Sequence, residues 1–141
     1  MQPATPKGTR IAHVGIALGS IAEVLPFYRD ILSLPTASLD DSDGARIEGF
    51  HAGESLVELL EAQSADSPVG RFVAKRGAGI HHICFAVDDL DATLVRCRAA
   101  GMRLVDETPR MGADGRQIAF IHPSSTGGIL VELTEHFGEA T

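Results

Sequence analysis

Two segments of this 141-residue chain each occur twice. Residues 13–18 (HVGIAL) align with 82–87 (HICFAV) at an offset of 69, and residues 56–59 (LVEL) align with 130–133 (LVEL) at an offset of 74. The five-residue difference is absorbed by a loop at 109–115. One duplication is too few for a solenoid, in which each unit rests on its neighbours along an array. Two like modules must instead close over a shared surface.

The local pattern fills in each module as β-α-β-β-β. An apolar run at 10–18 reads as a strand. Ser20, with Glu23 three residues on, fits a capping box for a helix whose apolar stripe is Ile21, Val24, Leu25, Tyr28 and Leu32. Pro26 removes a backbone donor inside that helix and predicts either a kink or a helix that starts later than the box suggests. Residues 45–61 read as a hairpin turning at Gly53, and Ser67-Pro68 opens a short connecting helix. The second module repeats the order: a strand at 80–87, a helix capped by Asp89 and stopped by Gly101, then strands through 102–105, 116–122 and 128–134. The expected organisation is a flexible tail at 1–9 and one α+β domain at 10–136, with modules at about 10–63 and 79–136 joined by the connector 64–78.

Strand alternation places His13, Gly15 and Ala17 on one face and Val14, Ile16 and Leu18 on the other. In the second copy His82, Cys84 and Ala86 take the first face. Each copy thus presents a histidine and two small residues away from its helix, leaving a hollow with imidazoles at its edge. Glu58 and Glu132 stand within apolar strands, where a bare carboxylate is costly unless it is paired or bound to a cation. Two imidazoles and two carboxylates at duplicated positions make an N2O2 donor set suited to one divalent ion: Co, Zn, Ni, Mn or Fe. His51, His81, His122 and His136 have no duplicate in register and read as structural or exposed, while Cys84 reads as a small filler of the packed face.

Charge and cysteine usage narrow the partners. A net charge of −7 gives no field to attract phosphate backbones or anionic lipid, so neither nucleic acid nor a membrane surface is expected. The longest stretch free of Asp, Glu, Lys and Arg, residues 117–131, is too short and too polar to cross a bilayer. Residues 1–10 lack the apolar run of a secretory signal, and the two cysteines, Cys84 and Cys97, sit in apolar periodic segments as reduced thiols would, so a cytoplasmic location is expected. Arg71, Lys75 and Arg76 cluster near the connector, where a solvated helix face accounts for them as well as contact with ligand phosphates does.

The duplicated β-α-β-β-β unit with matched His and Glu resembles the vicinal oxygen chelate superfamily, which includes glyoxalase I, extradiol dioxygenases and methylmalonyl-CoA epimerases. Residues 57–61 (VELLE), 66–68 (DSP), 79–84 (GIHHIC), 87–90 (VDDL), 112–115 (GADG), 122–123 (HP) and 128–133 (GILVEL) are similar, in order and spacing, to the epimerases. The chain departs from that group at Ser42-Asp43, where many epimerases carry Glu-Gln, and at Asp114, where a His is common.

The resemblance implies metal ligation by His13, Glu58, His82 and Glu132, with cobalt as the favoured ion, an acyl-CoA substrate and a homodimer. It implies epimerisation of a 2-substituted malonyl thioester through an enolate. A second glutamate is implied on the strand after Gly44. Glu48 is the carboxylate there, although some relatives place theirs one position earlier, where Ile47 stands, so Glu48 enters the cavity only if the register shifts. Glu48 and Glu132 are then the expected catalytic pair on opposite faces of the substrate. A lactoylglutathione lyase of the glyoxalase I type and a metal-free binding protein of the same fold are the alternatives.

Overall fold

A computed structural model describes residues 8–136; of the expected tail, only Gly8 and Thr9 fall among them. Eight strands form one curled mixed sheet: β1 (Arg10–Leu18), β2 (Thr36–Ala37), β3 (Ala45–Ala52), β4 (Ser55–Ala62), β5 (Gly79–Val87), β6 (Arg110–Met111), β7 (Gln117–Ile121) and β8 (Leu130–Glu135). Their spatial order is β2-β3-β4-β1-β5-β8-β7-β6. The duplication becomes a pseudo-twofold arrangement: β2-β3-β4-β1 of the first module mirrors β6-β7-β8-β5 of the second. The two halves join where β1 runs antiparallel to β5.

The helices α1 (Ile21–Leu25) and α3 (Leu90–Ala99) cover the convex face of the sheet. Ile21, Phe50 and Leu59 form the core beneath α1, and Leu90, Leu94, Ala119 and Ile121 form its counterpart beneath α3. At Pro26 the helix neither starts late nor continues in α form. Without its N–H the α-helical ladder cannot continue, and Pro26–Ile31 winds as a π-helical segment in which Leu32 N–H donates to the Phe27 carbonyl at 2.8 Å.

The capping box does not form. Ser20 makes no side-chain cap, and the Ile21 N–H instead donates to Glu61 Oε1 at 2.6 Å. In the second module Leu90 N–H donates to Glu135 Oε1 at 3.0 Å. Glu61 and Glu135 are a third duplicated pair: a carboxylate at the end of each module's last strand satisfies an orphan donor at the start of that module's helix. A long-range partner won over the local one, which the spacing of Ser20 and Glu23 could not reveal.

The expected strand at 102–105 is likewise replaced. Leu104 forms a lone bridge to Ile121, and the edge strand is Arg110–Met111, within the stretch expected to be loop. Both sheet edges, β2 and β6, are two residues long, which limits the backbone left open to strand addition. Strand curl brings the two edges together, and Asp40 N–H donates to the Ala113 carbonyl at 3.1 Å across the gap. The concave face between them becomes a pocket. The connector helix α2 (Pro68–Arg76), capped by the Ser67 hydroxyl accepting from Gly70 N–H at 3.1 Å, closes one end by seating Val69 against Ala17, Ala45 and Leu60.

Candidate metal centre

The four central strands β4-β1-β5-β8 each deliver one donor to the concave face. The registers set Glu58 on β4 beside Gly15 on β1, and Gly15 beside His82 on β5. In the other row His13 lies beside Cys84, and Cys84 beside Glu132 on β8. Gly15 and Cys84 occupy duplicated positions, and their small size makes room for the larger groups on either side. A Cβ at Gly15 would stand 2.3 Å from Cε1 of His82.

Three donor atoms converge. His13 Nε2 lies 3.0 Å from His82 Nε2 and 3.0 Å from Glu132 Oε1, and His82 Nε2 lies 3.1 Å from the same oxygen. Ligands held about 2.1 Å from an ion stand about 3.0 Å apart at the right angles of an octahedron and about 3.4 Å apart in a tetrahedron. The observed triangle has the dimensions of an octahedral face. Two ring nitrogens facing each other at this distance can share only one proton, so a cation satisfies both lone pairs better than hydrogen bonding does. Glu58 approaches His13 from the far side of the ring, Oε2 to Nδ1 at 3.2 Å, and one donor atom each of His13, Glu58 and His82 lie within 4.8 Å of one another. All four side chains are buried, and His13, Glu58 and His82 are placed as a group that could hold a divalent ion.

His81 also belongs to this site. It occupies the extra position of a bulge, where Gly15 pairs with His82 and Ile16 with Ile80. The bulge breaks the strand alternation, so neighbouring imidazoles meet, with 3.0 Å between the Nδ1 atoms of His81 and His82. Ala12 occupies the matching bulge of the first copy. A hydrogen bond at the remote ring nitrogen orients a metal-ligating histidine. His81 makes that contact to His82. Strand alternation puts His81 on the opposite face to His82, and a bulge leaves no mark in a periodic pattern.

Glu48 is not brought to the pocket. It pairs across β3 and β4 with Leu59, whose side chain faces α1, whereas Ile47 pairs with Leu60 and lines the cavity. Its carboxylate accepts from Arg46 Nη2 at 3.1 Å at the protein surface. No bulge interrupts the β3-β4 pairing, so the register shift that Glu48 required is absent. The pocket encloses about 790 Å3, counting the solvent at its mouth, and its polar lining includes Glu58, His82, Glu132, His81, Asp43 and Arg110. Of the connector cations, Arg71 donates to the Asp66 carbonyl at 2.9 Å and Arg76 stacks over Phe72.

The electrostatics follow from burial against pairing. Burial alone would raise the Glu132 carboxyl, but hydrogen bonds from His13 and His82 outweigh it and hold the group down at about 2. Burial would lower the His13 imidazole, but its bond to Glu132 and the charges of Glu58 and Glu132 raise it above 6.5. Burial pushes the Glu58 carboxyl up against the opposing charge of His13. Burial, then the neighbouring His82, lowers His81 to about 4, so its ring is neutral at physiological pH. Burial drives the Cys84 thiol far up, which keeps it protonated and unreactive.

These shifts set opposite pH trends for stripped and loaded protein. A carboxylate held below its unfolded value stabilises the fold above about pH 4.5 and loses that contribution as the pH falls toward 2. An imidazole held above 6.5 stabilises the fold below that pH and loses its contribution as the pH rises through the folded value; the raised Glu58 adds to the alkaline loss from pH 4.5 upward. Chelator-stripped protein is therefore expected to have its highest Tm near about pH 5 and to lose stability toward pH 8. Metal-loaded protein should gain over the same interval, because metal binding requires deprotonated ligands. Parallel pH profiles for the two forms would contradict this electrostatic picture.

A Gly15→Ala substitution isolates the site from the fold. The added methyl meets the His82 ring rather than backbone, so the imidazole must move. The expected result is a metal affinity lowered by about 10- to 100-fold, by analogy with lost outer-sphere support, with the far-UV spectrum unchanged. Unaltered metal affinity would show that the His82 ring has slack.

The chain matches the Glyoxalase/Bleomycin resistance protein/Dioxygenase superfamily over residues 10–133. It is 39% identical over 132 residues to the uncharacterized protein YqjC of Bacillus subtilis, covering 92% of this chain and 94% of that one. It is 35% identical to an ethylmalonyl-CoA/methylmalonyl-CoA epimerase of Cereibacter sphaeroides, covering 89% and 97%. Among solved structures, a methylmalonyl-CoA epimerase in complex with methylmalonyl-CoA and NH4+ superposes with a TM-score of 0.86 at 34% identity, covering 94% of this chain and 97% of that one.

Proposed function

The chain belongs to the Glyoxalase/Bleomycin resistance protein/Dioxygenase superfamily, and from that premise we propose that it is a divalent-metal-dependent epimerase interconverting the 2R and 2S forms of methylmalonyl-CoA or a close 2-alkylmalonyl thioester. The observation that carries the reading is the convergence of His13, His82 and Glu132 donor atoms, with Glu58 behind, where His82, Glu58 and Glu132 line a pocket whose walls include Ile47, Leu60, Ile118 and Phe120. The similarity to epimerases that act on methylmalonyl- and ethylmalonyl-CoA supports the substrate class.

The C2 proton of such a substrate lies between a thioester and a carboxylate, and the costly species in its exchange is the enolate. His13, Glu58, His82 and Glu132 would hold the ion, and it would supply Lewis-acid stabilisation of the charge developing on the thioester oxygen. Cobalt is the ion proposed, within the Co, Zn, Ni, Mn and Fe group that a mixed imidazole and carboxylate set accepts. Glu132 presents Oε1 to both imidazoles, and its second oxygen is the proposed acceptor of the C2 proton. Return of a proton on the other face falls to a pocket group other than Glu48, since from β3 it is Ile47 and not Glu48 that lines the cavity. Ile47, Leu60, Ile118 and Phe120 provide an apolar wall that strengthens the electrostatic interactions inside.

A substrate panel on cobalt-loaded protein tests the reading. Methylmalonyl-CoA should epimerise, whereas the hemithioacetal of methylglyoxal and glutathione should be inert; the reverse result would assign lactoylglutathione lyase activity instead.

We also propose a cytoplasmic homodimer. Free thiols at Cys84 and Cys97 are compatible with a reducing compartment, and the exposed Ile80 and Ile129 beside Phe72 offer an apolar face for a second copy. Light scattering at micromolar concentration should give twice the chain mass, and a monomer mass would reject the dimer. No helix among the described residues is long and apolar enough to cross a membrane.

A further inference from the structure

Each module contributes one residue to an ion pair across the pocket mouth: Asp43, just before β3, and Arg110, in β6. Arg110 is fixed on its inner side. Its Nε donates to Asp106 Oδ1 at 3.0 Å, and Asp106 Oδ2 accepts from the Phe120 N–H at 2.8 Å. Its guanidinium carbon lies 5.5 Å from the centre of the Phe120 ring, which in turn meets the His82 ring edge-on at 5.7 Å. The side chain is thus anchored to β7, next to the strand that carries Glu132.

The outer side is held loosely. Nη1 and Nη2 face the two oxygens of Asp43 at 3.3 and 3.4 Å, beyond the usual ~2.7–2.9 Å of close charge-assisted bonds. Both side chains remain 38% and 47% exposed, so the pairing contributes little to the fold. Asp43 reaches Arg110 from a backbone φ of +52°, in the left-handed region that Asp and Asn tolerate best after glycine. The pair therefore presents a planar two-donor fork, oriented from behind and covered by a weakly bound carboxylate, at the entrance to the pocket.

We propose that Arg110 is the anion-recognition residue of this pocket and that Asp43 occupies its fork until an anionic group of the ligand displaces it. This deepens the proposed function and rests on it for the choice of thioester ligands. The chemistry recognised is a two-oxygen anion, supplied either by a free carboxylate on the acyl group or by a phosphate of the CoA moiety, since both match the fork. Carboxylate exchange at Arg110 separates this role from that of a structural salt bridge, because a competitor and a receptor respond to mutation with opposite signs.

Calorimetric titration of metal-loaded wild type, Asp43→Asn and Arg110→Gln with malonate, methylmalonyl-CoA, propionyl-CoA and methylmalonyl-pantetheine makes the test. Asparagine keeps the left-handed turn while removing the competing charge. Arg110→Gln should weaken binding of recognised ligands by about 10- to 100-fold, and Asp43→Asn should tighten it several-fold. If the acyl carboxylate is the anion, propionyl-CoA is indifferent to both substitutions. If a CoA phosphate is the anion, propionyl-CoA follows the pattern and methylmalonyl-pantetheine does not. Either pattern supports the proposal. Shifts of the same sign in both variants, or no shift in either, overturn it while leaving the proposed function standing wherever the thioesters bind. Malonate binding with opposite shifts, in a protein that takes no thioester, would keep Arg110 as the anion site and reject the epimerase reading. Wild type that binds neither malonate nor any thioester rejects both.

Discussion

Glutamine at position 132 is expected to lower the rate of C2 proton exchange by about 10²- to 10⁴-fold, the range for loss of a positioned general base. Glu132 is buried, ionised down to about pH 2, and holds Oε1 within 3.1 Å of both imidazole Nε2 atoms. Glutamine fills the same volume, so packing on β8 is kept while the charge and the basic oxygen are lost. Because the amide also weakens metal binding, the comparison is made per bound ion, with metal measured on the same samples. Glu48→Gln is the matched control. That side chain lies at the surface against Arg46, and its loss should change the rate less than about twofold. A Glu132→Gln protein that exchanges at the parental rate per bound ion would remove Glu132 from the chemistry.

Removing the metal should cost nearly as much in stability as that substitution costs in rate. An ion present at 100 to 1,000 times its dissociation constant stabilises the folded state by about 2.7–4.1 kcal/mol. For a domain of this length each kcal/mol moves Tm by about 4 °C, so chelation at neutral pH should lower Tm by about 11–16 °C. The structural cause is specific. Glu58 and Glu132 are each 5% exposed within apolar strands, and without a cation their charges rest on His13 and His82 alone. Restoring cobalt should restore Tm, whereas magnesium, which prefers oxygen donors, should not. An unchanged melt on chelation, with no metal by elemental analysis, would show that hydrogen bonding suffices to keep the four groups together.

Much of this architecture was legible in the sequence because it is written twice. A single strand with a histidine is ambiguous, but HVGIAL over HICFAV and LVEL over LVEL align two modules and, since alternation has a period of two, put His13, His82, Glu58 and Glu132 on one face. What escaped depended on contacts between segments distant in sequence. The helix caps at Ile21 and Leu90 come from Glu61 and Glu135, 40 and 45 residues away, so a local capping rule pointed to Ser20 instead. His81 reached the site through a bulge, which inserts one residue without altering composition or periodicity. Glu48 stayed outside because the hairpin from Ala45 to Ala62 keeps its register without interruption, leaving Ile47 on the cavity side. The Asp43–Arg110 pair joins residues 67 apart and exists only because the sheet curls its two edges together.

The central claim is that proton exchange at C2 of a 2-alkylmalonyl thioester depends on an ion held by this donor set. Its most direct test is proton NMR of methylmalonyl-CoA in D2O, with chelator-stripped protein titrated by cobalt. Loss of the C2 proton signal should accelerate in proportion to bound metal, level off at one ion per chain and be about 10²- to 10⁴-fold slower in the Glu132→Gln protein. Exchange that proceeds equally in stripped protein, or that fails to occur at full metal occupancy, would contradict the claim.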